Sequence, residues 1–346
     1  MRRLWSGVLT VAVLCATSPL AAGADRDVLH VFTWSDYFDH GALAAFEDAF
    51  NCNVAIDLFD SNEAMYEEVV DGKYAYDIIT PSSYMSSRMR KEGLLVELDH
   101  SLIPNILNID PEFLHLTEDA HMRYSVPYTR TVSGIGYNAR ELPGLDDSWS
   151  VFADPRFGGR TTMLEDMRET IGAALKFLGY SLNTLDEGEL AAAERLLQSW
   201  KRNLARFEID EAHLGLASGE LLAAHGYNGD VAQLMSSNPD IGFLVPREGS
   251  VITSDDFVIR AESKKLELAH AFINHMLDPR IAAMNMEGIL YYMPNPAAID
   301  MLPDEIRNNP TFDVSPDIIA KCEVIRDLGD GDAAYVGIWD AVTATD

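Results

Sequence analysis

Acidic and aromatic side chains occur together where several predicted strands end. The segment Trp34-Ser35-Asp36-Tyr37 follows the first predicted strand, and Pro81-Ser82-Ser83-Tyr84 follows another. The segment Tyr227-Asn228-Gly229-Asp230, in the second half of the chain, again combines an aromatic and an acidic residue, as Trp34 to Tyr37 does. Carboxylates accept strong hydrogen bonds from ammonium groups, and the face of an aromatic ring attracts a cation. These segments therefore favour a site that binds an organic cation.

Each of these side chains also has a purely structural interpretation. A Trp or Tyr at the end of a strand commonly packs in a core or at its rim. Asp36 could cap the helix that is predicted to begin near Gly41, and Asp255 with Asp256 could be a solvated pair. The residue types alone leave both interpretations open.

Predicted strands and helices alternate in residues 28–92. Apolar residues recur at every second position in the strands and at intervals of three or four in the helices. The predicted strands are 28–33, 53–59 and 76–80, and the predicted helices are 41–50, 62–70 with Ser61 as N-cap, and 85–92 with Gly93 at its end. This order is typical of a parallel sheet with helices on its faces.

The pattern becomes less regular after a turn-rich segment at 104–127. Predicted strands follow at 131–137, just before Tyr227, at 241–245 and at 256–259, and predicted helices at 168–179, 187–203, 220–224, 263–277 and 280–287. Two α/β units joined by crossing strands would enclose a cleft. Ligands of open α/β sheets bind at the carboxyl ends of the strands, where the segments described above lie.

The N-terminus has the features of an export signal. Two arginines precede a mostly apolar run that is too short to span a bilayer, and Ala22-Gly23-Ala24 fits a cleavage site. We therefore expect residues 1–24 to be a signal peptide and the mature protein to be periplasmic or otherwise extracytoplasmic. Cys15 raises the alternative of a lipid anchor.

The remaining chain of about 320 residues is long enough for two domains and strongly acidic. Its formal charge is −29 with the signal and −31 without it, because residues 1–24 contain two arginines and no acids. Such a surface repels nucleic acid and anionic membranes, so no nucleic-acid partner is expected. The acidity alone does not identify a cationic ligand, since it also serves solubility.

No enzyme signature is found in the sequence. The motifs of zinc proteases, α/β-hydrolases, P-loop NTPases and dithiol oxidoreductases are absent, so no catalytic residue is predicted. Residues 134–139 match the loose dinucleotide pattern GxGxxG/A, but Pro143-Gly144 interrupts any helix that would have to follow. Residues 327–332 are acidic and glycine-rich but lack the order of an EF-hand loop. We therefore predict no cofactor.

Histidines and cysteines are not spaced as metal ligands. The nine histidines are scattered, and the pair His270 and His275 is five residues apart, which is off a single helix face. Cys52 and Cys322 remain after signal removal, and the sequence does not decide whether they pair. We therefore predict no metal site.

Nine segments in succession resemble the spermidine/putrescine-binding proteins of bacterial ABC importers. They extend from Thr33 to Ala298. The segments are TWSDY (33–37), FDSNEAMYEEV (59–69), YDIITPSSY (76–84), MRKEGLLVELD (89–99), VPYTRTVSGIGYN (126–138), LEDMRET (164–170), GYNGD (226–230), VPREG (245–249) and LYYMPNPAA (290–298). No single motif is decisive, but their common order makes a chance match improbable.

The resemblance implies an α/β, two-domain periplasmic-binding-protein fold of type II. Each domain would be a central, mostly parallel sheet flanked by helices, with the ligand cleft at the hinge. We expect domain 1 to comprise residues 25–129 plus 255–300, and domain 2 residues 130–254 plus 301–346. The resemblance also implies a polyamine ligand and a permease of an ABC transporter in the inner membrane as partner.

The same resemblance implies twelve ligand-binding residues. They are Trp34, Ser35, Asp36, Tyr37, Ser82, Tyr84, Asp166, Glu169, Tyr227, Asp230, Asp255 and Tyr291. Three positions depart from the family: Tyr227 stands where Trp is usual, Thr253 where Trp or Phe is usual, and Ile325 where spermidine binders have Gln. These departures leave the choice between putrescine and spermidine open, with Asp230 favouring putrescine.

The residue types suit a polyamine for a physical reason. Each ammonium group offers only hydrogen-bond donors, so a pocket that removes it from water must supply acceptors. The methylene chain needs apolar walls, which flat rings provide. The alternatives are a same-fold receptor for an amino acid, sugar or metal ion, and a polyamine sensor without transport. An amino acid would require an arginine for its carboxylate, and Arg130 is the evident candidate.

Overall fold

The computed structural model describes residues 26–208 and 212–344. The chain begins with alternating strands and helices: β1 (Asp27–Thr33), α1 (His40–Phe50), β2 (Cys52–Leu58), α2 (Asn62–Asp71), β3 (Ile78–Ile79) and α3 (Ser83–Lys91). The side chain of Asp39 caps α1 by accepting from the backbone of Gly41 and Ala42, and Ser61 caps α2. Gly93, with φ of 74°, ends the turn after α3 in a left-handed conformation that suits glycine.

The expected signal peptide and Cys15 lie outside the described residues.

Three short 3-10 helices, His100–Leu102, Pro104–Asn108 and Pro111–Leu116, lead into the long strand β4 (Ser125–Asn138). Two further 3-10 helices, Trp149–Ala153 and Pro155–Phe157, follow it. The next elements are β5 (Thr161–Leu164), α4 (Met167–Phe177), α5 (Glu187–Lys201), β6 (Leu204–Glu208), α6 (Ala212–Ser218), β7 (Ala223–Tyr227), α7 (Asn228–Ser237) and β8 (Ile241–Leu244).

The chain then returns through the second long strand, β9 (Val251–Ile259). The elements after it are α8 (Leu266–Met276), α9 (Pro279–Ile289), α10 (Pro296–Ile299), α11 (Asp304–Arg307), α12 (Pro316–Ile319), β10 (Glu323–Val324), a 3-10 turn at Gly329–Gly331 and α13 (Asp332–Thr343).

The strands form one continuous path in the order β2-β1-β3-β9-β4-β7-β5-β6. The strands β1, β2 and β3 are parallel, and so are β5, β6 and β7. Between these two sets, β9 and β4 run antiparallel to each other, β9 runs antiparallel to β3, and β4 runs antiparallel to β7. Off this path, β10 pairs parallel with β9 and β8 pairs antiparallel with β4. We call β1–β3 with the helices packed on them the first lobe, and β5–β7 with theirs the second lobe. The carboxyl ends of both parallel sets face the junction of the lobes, where a ligand cleft is expected.

Each lobe has its own hydrophobic core. In the first lobe, Leu29, Phe46 and Phe272 are fully buried in one cluster. In the second lobe, Trp149 and Trp200 are fully buried in another. Separate cores allow the lobes to move as units about the strands that join them.

The structure confirms most of the predicted elements and corrects one. The predicted helix at 220–224 is wrong: Ala223 already belongs to β7, which pairs with β4 and β5. The preceding Leu222 donates its backbone N–H to Arg160 O at 2.7 Å, so contacts distant in sequence hold this segment extended. Helices α6 and α7 were not predicted, and β4 begins six residues before the predicted strand at 131–137.

Cys52 and Cys322 are both free thiols, which answers the question that their spacing left open. No helix in the described part of the chain is long and apolar enough to cross a membrane.

Candidate functional site

A cavity of about 370 Å³ lies between the two lobes, at the carboxyl ends of β1, β3, β5 and β7. Strand β9 passes through its centre and contributes Thr253 and Asp255. The structure brings all twelve residues predicted to bind a ligand to this one cavity: Trp34, Ser35, Asp36, Tyr37, Ser82, Tyr84, Asp166, Glu169, Tyr227, Asp230, Asp255 and Tyr291. Residues that are up to 257 positions apart in sequence, from Trp34 to Tyr291, therefore share one surface.

The loop after β1 presents Trp34 to Tyr37 to the cavity. Trp34 Nε1 donates to the carbonyl of Thr80 at 2.9 Å, and its ring meets the Phe59 ring edge-on with centroids 4.3 Å apart. Asp36 turns the loop with φ of 51°, a left-handed conformation that aspartate tolerates better than most residues. The alternative role of Asp36 as helix cap is wrong, because Asp39 caps α1.

Asp255 is the most heavily hydrogen-bonded carboxylate of the cavity. Ser82 Oγ donates to its Oδ1 at 2.6 Å, and the Tyr37 hydroxyl donates to Oδ2. Thr131 Oγ1 also donates to Oδ2, at 3.4 Å. Burial raises the pKa of Asp255, and these hydrogen bonds oppose part of the rise because they favour the charged form. Asp255 thus joins the loops of the first lobe to the crossing strands.

Asp166 and Glu169 reach the cavity from the start of α4. Asp166 caps this helix, since its Oδ1 accepts from the backbone N–H of Arg168 and Glu169 at 2.9 and 3.0 Å. Glu169 lies in the first turn of the helix and is buried, and burial together with the nearby Asp166 holds its pKa well above the ordinary range. Its Oε2 has no hydrogen-bond partner among the residues that the structure describes. An ammonium group would supply the missing donor and charge.

Asp230 and Tyr291 connect the lobes directly. The Tyr291 hydroxyl, on the first lobe, donates to Asp230 Oδ1 in α7 at 2.6 Å. The ring of Tyr291 lies against Gly229, where an added Cβ would come within 2.4 Å of it. A second hydrogen bond joins the same helix α7 to the end of α9: Gln233 Nε2 donates to the carbonyl of Ile289 at 2.7 Å.

Replacing Gly229 by alanine is expected to displace Tyr291 and to weaken ligand binding by about tenfold, because one charged hydrogen bond across the cleft is lost. Gly337→Ala is the matched control, since Gly337 also lies in a helix and its Cβ would meet nothing within 4 Å. Calorimetric titration of both variants measures the effect. If Gly229→Ala binds ligand as well as Gly337→Ala does, Tyr291 is not held by this close contact.

Sequence reasoning missed His225, which lines the cavity, and Glu63, which does not line it but hydrogen-bonds the lining residue Tyr84. Glu63 accepts from the Tyr84 hydroxyl at 3.1 Å, and burial followed by the charge of Asp166 raises its pKa to about 7. His225 is fully buried on β7, with Nε2 4.0 Å from Glu169 Oε2, and burial lowers its pKa to about 3. Glu63 stands inside the segment FDSNEAMYEEV, so the resemblance could have drawn attention to it, but nothing local distinguishes it from an exposed helix residue.

The three positions that depart from the family also line the cavity. Thr253 and Ile325 are nearly buried, and Tyr227 is partly buried. The structure thus places the smaller side chain of Thr253 on the cavity wall, where the family has a ring.

The charges around the cavity are of one sign. Its lining contains six carboxylates, Asp36, Asp60, Asp166, Glu169, Asp230 and Asp255, and neither Lys nor Arg among the described residues. Arg130, the candidate for holding an amino-acid carboxylate, lies outside this lining: it stacks on Tyr292 at 3.9 Å and bonds Asp313 at 3.4 Å. Within residues 26–208 and 212–344, no group of three or more His, Cys, Asp or Glu is arranged to hold a metal ion. The cavity is therefore built for an organic cation.

Comparison with known proteins agrees with this geometry. Residues 41–314 match the family described as bacterial extracellular solute-binding protein. The spermidine/putrescine-binding periplasmic protein of Salmonella typhimurium is 33% identical, over 96% of each chain. The putrescine/cadaverine-binding protein of Pseudomonas aeruginosa is also 33% identical, over 93% of this chain and 94% of its own. Among solved structures, the spermidine/putrescine ABC transporter substrate-binding protein PotD from Streptococcus pneumoniae superposes with a TM-score of 0.78 at 30% identity, covering 92% of this chain and 100% of its own.

Proposed function

Since the chain belongs to the bacterial extracellular solute-binding protein family, we propose that it is a receptor that binds a polyamine, putrescine or spermidine, and delivers it to an ABC importer. The fold is that of the type II periplasmic binding proteins, as predicted, and the family acts outside the cytoplasm. Its members are solute-binding receptors, so the role proposed for this chain is binding without catalysis.

The observation that carries the proposal is the composition of the cavity wall. Six carboxylates and several aromatic rings surround the cavity, and its described lining contains no Lys or Arg. The buried Arg168, outside the lining, offsets only part of the rise in the pKa of Asp166 and Glu169. Three of these acids, Asp166, Glu169 and Asp255, are buried, and bringing them together is unfavourable unless a cation of matching length occupies the space between them. A diamine or triamine meets that need, because its charges are separated by methylenes that pack on the rings.

In this proposal each lobe supplies part of the ligand shell. Trp34, Ser35, Asp36, Tyr37, Ser82, Tyr84 and Tyr291 contribute from the first lobe, and Asp166, Glu169, Tyr227 and Asp230 from the second. Asp255 on the crossing strand lies between them and holds one ammonium. Ligand binding then favours the closed arrangement, because only that arrangement lets both lobes contact the ammonium groups.

We place the hinge in the strands that cross between the lobes. The bounds expected from the sequence are residues 25–129 plus 255–300 for domain 1, and residues 130–254 plus 301–346 for domain 2. We propose to move the last of these boundaries, because Leu302 and Phe312 pack in the core of the first lobe; the last crossing would then occur after Phe312. Rotation would be taken up in β4 near Val132, where its pairing changes from β9 to β7, and at the matching end of β9.

Export and transporter docking complete the proposal. Cleavage after Ala24 would release the mature protein, and lipidation of Cys15 is the alternative that would anchor it. The partner would be the permease of an ABC transporter in the inner membrane. The competing functions are a receptor of the same fold for another solute and a polyamine sensor without transport. An amino acid is a less suitable ligand, because Arg130, which would hold its carboxylate, does not line the cavity.

Calorimetric titration of the mature protein with putrescine, cadaverine, spermidine and spermine tests the proposal. We expect binding of putrescine or spermidine, with putrescine favoured because Asp230 stands in its family position. Glutamate and glycine, which carry carboxylates into an acidic cavity, serve as negative controls. Absence of heat with every polyamine would overturn the proposal.

A further inference from the structure

The cavity extends beyond the twelve predicted residues, along one face of α7. The lining residues Asp230, Gln233, Leu234 and Ser237 recur at the spacing of a single helix face. Seven residues of helix separate the first from the last, which corresponds to about 10 Å. The cavity therefore continues about 10 Å past Asp230. We call this extension, lined by Leu216, Gly226, Val231, Leu234 and Ser237, the side channel.

The walls of the side channel are mainly apolar. Leu216 and Val231 are buried members of a small hydrophobic cluster between α6, α7 and β7, and Leu234 packs against it. Ser237 is exposed and marks the end of the channel that reaches solvent. None of the five residues that define the channel carries a charge, in contrast to the six carboxylates of the whole cavity. An ammonium group entering the channel would lose water without gaining a carboxylate, whereas an alkyl group would gain apolar contact.

Gly226 leaves room in this channel. It lies on β7 in an ordinary extended strand, and a Cβ placed there would meet Val231 Cγ2 at 3.9 Å, an ordinary van der Waals distance. A longer side chain at this position would therefore grow into the channel rather than be blocked by backbone. The glycine is not required by backbone conformation, since its φ is not positive.

We propose that the side channel receives an uncharged alkyl substituent carried on one nitrogen of the ligand, so that N-alkylated diamines are ligands of this protein. The proposal rests on the proposed polyamine-binding function and adds a ligand class to it. The two ammonium groups occupy the carboxylate-lined part of the cleft, and the substituent passes Asp230 and lies between α6 and α7.

The probe is N-butylputrescine, which has the length of spermidine but ends in a methyl group. We expect it to bind about tenfold more tightly than putrescine, since two or three buried methylenes contribute that much. Gly226→Val should remove this gain by filling the channel, while the Kd of putrescine changes by less than about twofold. Leu234→Phe narrows the channel from the opposite wall and should have the same effect.

Ser236→Val is the matched control, because Ser236 is exposed on α7 and does not line the cavity. It should leave the preference for N-butylputrescine intact. Equal or weaker binding of N-butylputrescine relative to putrescine would overturn the side-channel proposal alone. So would a preference that survives both Gly226→Val and Leu234→Phe, with thermal melting showing both variants folded. Failure of putrescine itself to bind the unaltered protein would instead overturn the proposed function.

Discussion

Asp255→Asn weakens putrescine binding by at least about tenfold and up to about a hundredfold. The carboxylate is buried in the centre of the cavity, and its hydrogen bonds from Tyr37 and Ser82 fix it in place before ligand arrives. A charged hydrogen bond contributes about 1.5–3 kcal/mol, which corresponds to this range of affinity. Asparagine keeps the shape of the side chain but loses the charge that pairs with an ammonium. Calorimetric titration measures the change.

The neighbouring Asp256 provides an internal control for this substitution. It is fully buried on the same strand, accepts from Ser254 Oγ at 2.8 Å and does not line the cavity. Asp256→Asn is therefore expected to change the Kd by less than about threefold. Thermal melting of the ligand-free Asp255→Asn protein checks that it remains folded, because an asparagine amide nitrogen cannot accept the hydrogen bonds that Asp255 receives on both of its oxygens. Equal effects of the two variants would mean that Asp255 acts through strand β9 and not through the ligand.

Affinity for putrescine should fall steeply as the pH is lowered from about 8 to about 5.5. In the ligand-free protein, burial raises the pKa of Asp166. Burial together with repulsion from Asp166 raises the pKa of Glu63 to about 7 and holds that of Glu169 well above its ordinary range. At low pH these carboxyls are protonated in the ligand-free protein, and they must release their protons when a dication binds. Each proton released lowers affinity by about tenfold per pH unit below the pKa of the ligand-free group. The part of this dependence that comes from Glu63 should level off above about pH 8.

The stability of the ligand-free protein should change in the opposite direction. A carboxyl whose pKa rises on folding keeps its proton in the folded state while the unfolded chain has lost it. Stability therefore falls as pH rises from the ordinary value of 4.5 to about 7 for Glu63. Glu63→Gln should remove part of this fall and raise the melting temperature at pH 8 more than at pH 5.

Proton release on binding can be measured by titration in buffers of different ionisation enthalpy. We expect net release of protons at pH 6.5, and a smaller release in Glu63→Gln. Glu68→Gln is the comparison variant, since Glu68 lies on the same helix but accepts from Tyr76, whereas Glu63 accepts from Tyr84, which lines the cavity. An affinity that stays constant from pH 5.5 to 8 would contradict the proposed coupling between the carboxylates and the ligand.

The parts of the fold that the sequence predicts are those with strong local patterns. The alternation in β1 and the helical spacing of α1 are properties of short segments, and the structure has both elements within a residue or two of the expected bounds. Trp34 and Asp36 could be placed in the cavity for the same reason, because they immediately follow a predicted strand. Asp255 could be predicted as a ligand-binding residue only from the family resemblance, since its sequence neighbours alone do not distinguish it from Asp256.

The parts that were not predicted depend on contacts between distant segments. Residues 220–224 have local helical character, but the pairing of β7 with β4 and β5 determines their conformation. The raised pKa of Glu63 arises from its burial and then from the charge of Asp166, which lies 103 positions later in the chain and approaches from the other lobe. The side channel requires the faces of α6 and α7 to meet, and neither helix was predicted from the sequence.

The position of Trp34 gives the protein an intrinsic optical probe. Of the four tryptophans in the described residues, Trp149 and Trp200 are fully buried in the second lobe, Trp339 lies on α13, and only Trp34 lines the cavity. Its indole is fixed by the hydrogen bond to Thr80 and by the Phe59 ring, so it has a defined orientation toward an incoming cation. Trp149 contacts the lining residue His225 from behind, with ring centroids 4.8 Å apart, so a Trp34→Phe variant separates the two contributions to a change in ultraviolet fluorescence on adding solute. With Trp34 in direct contact with the cavity, the protein could serve as a label-free sensor.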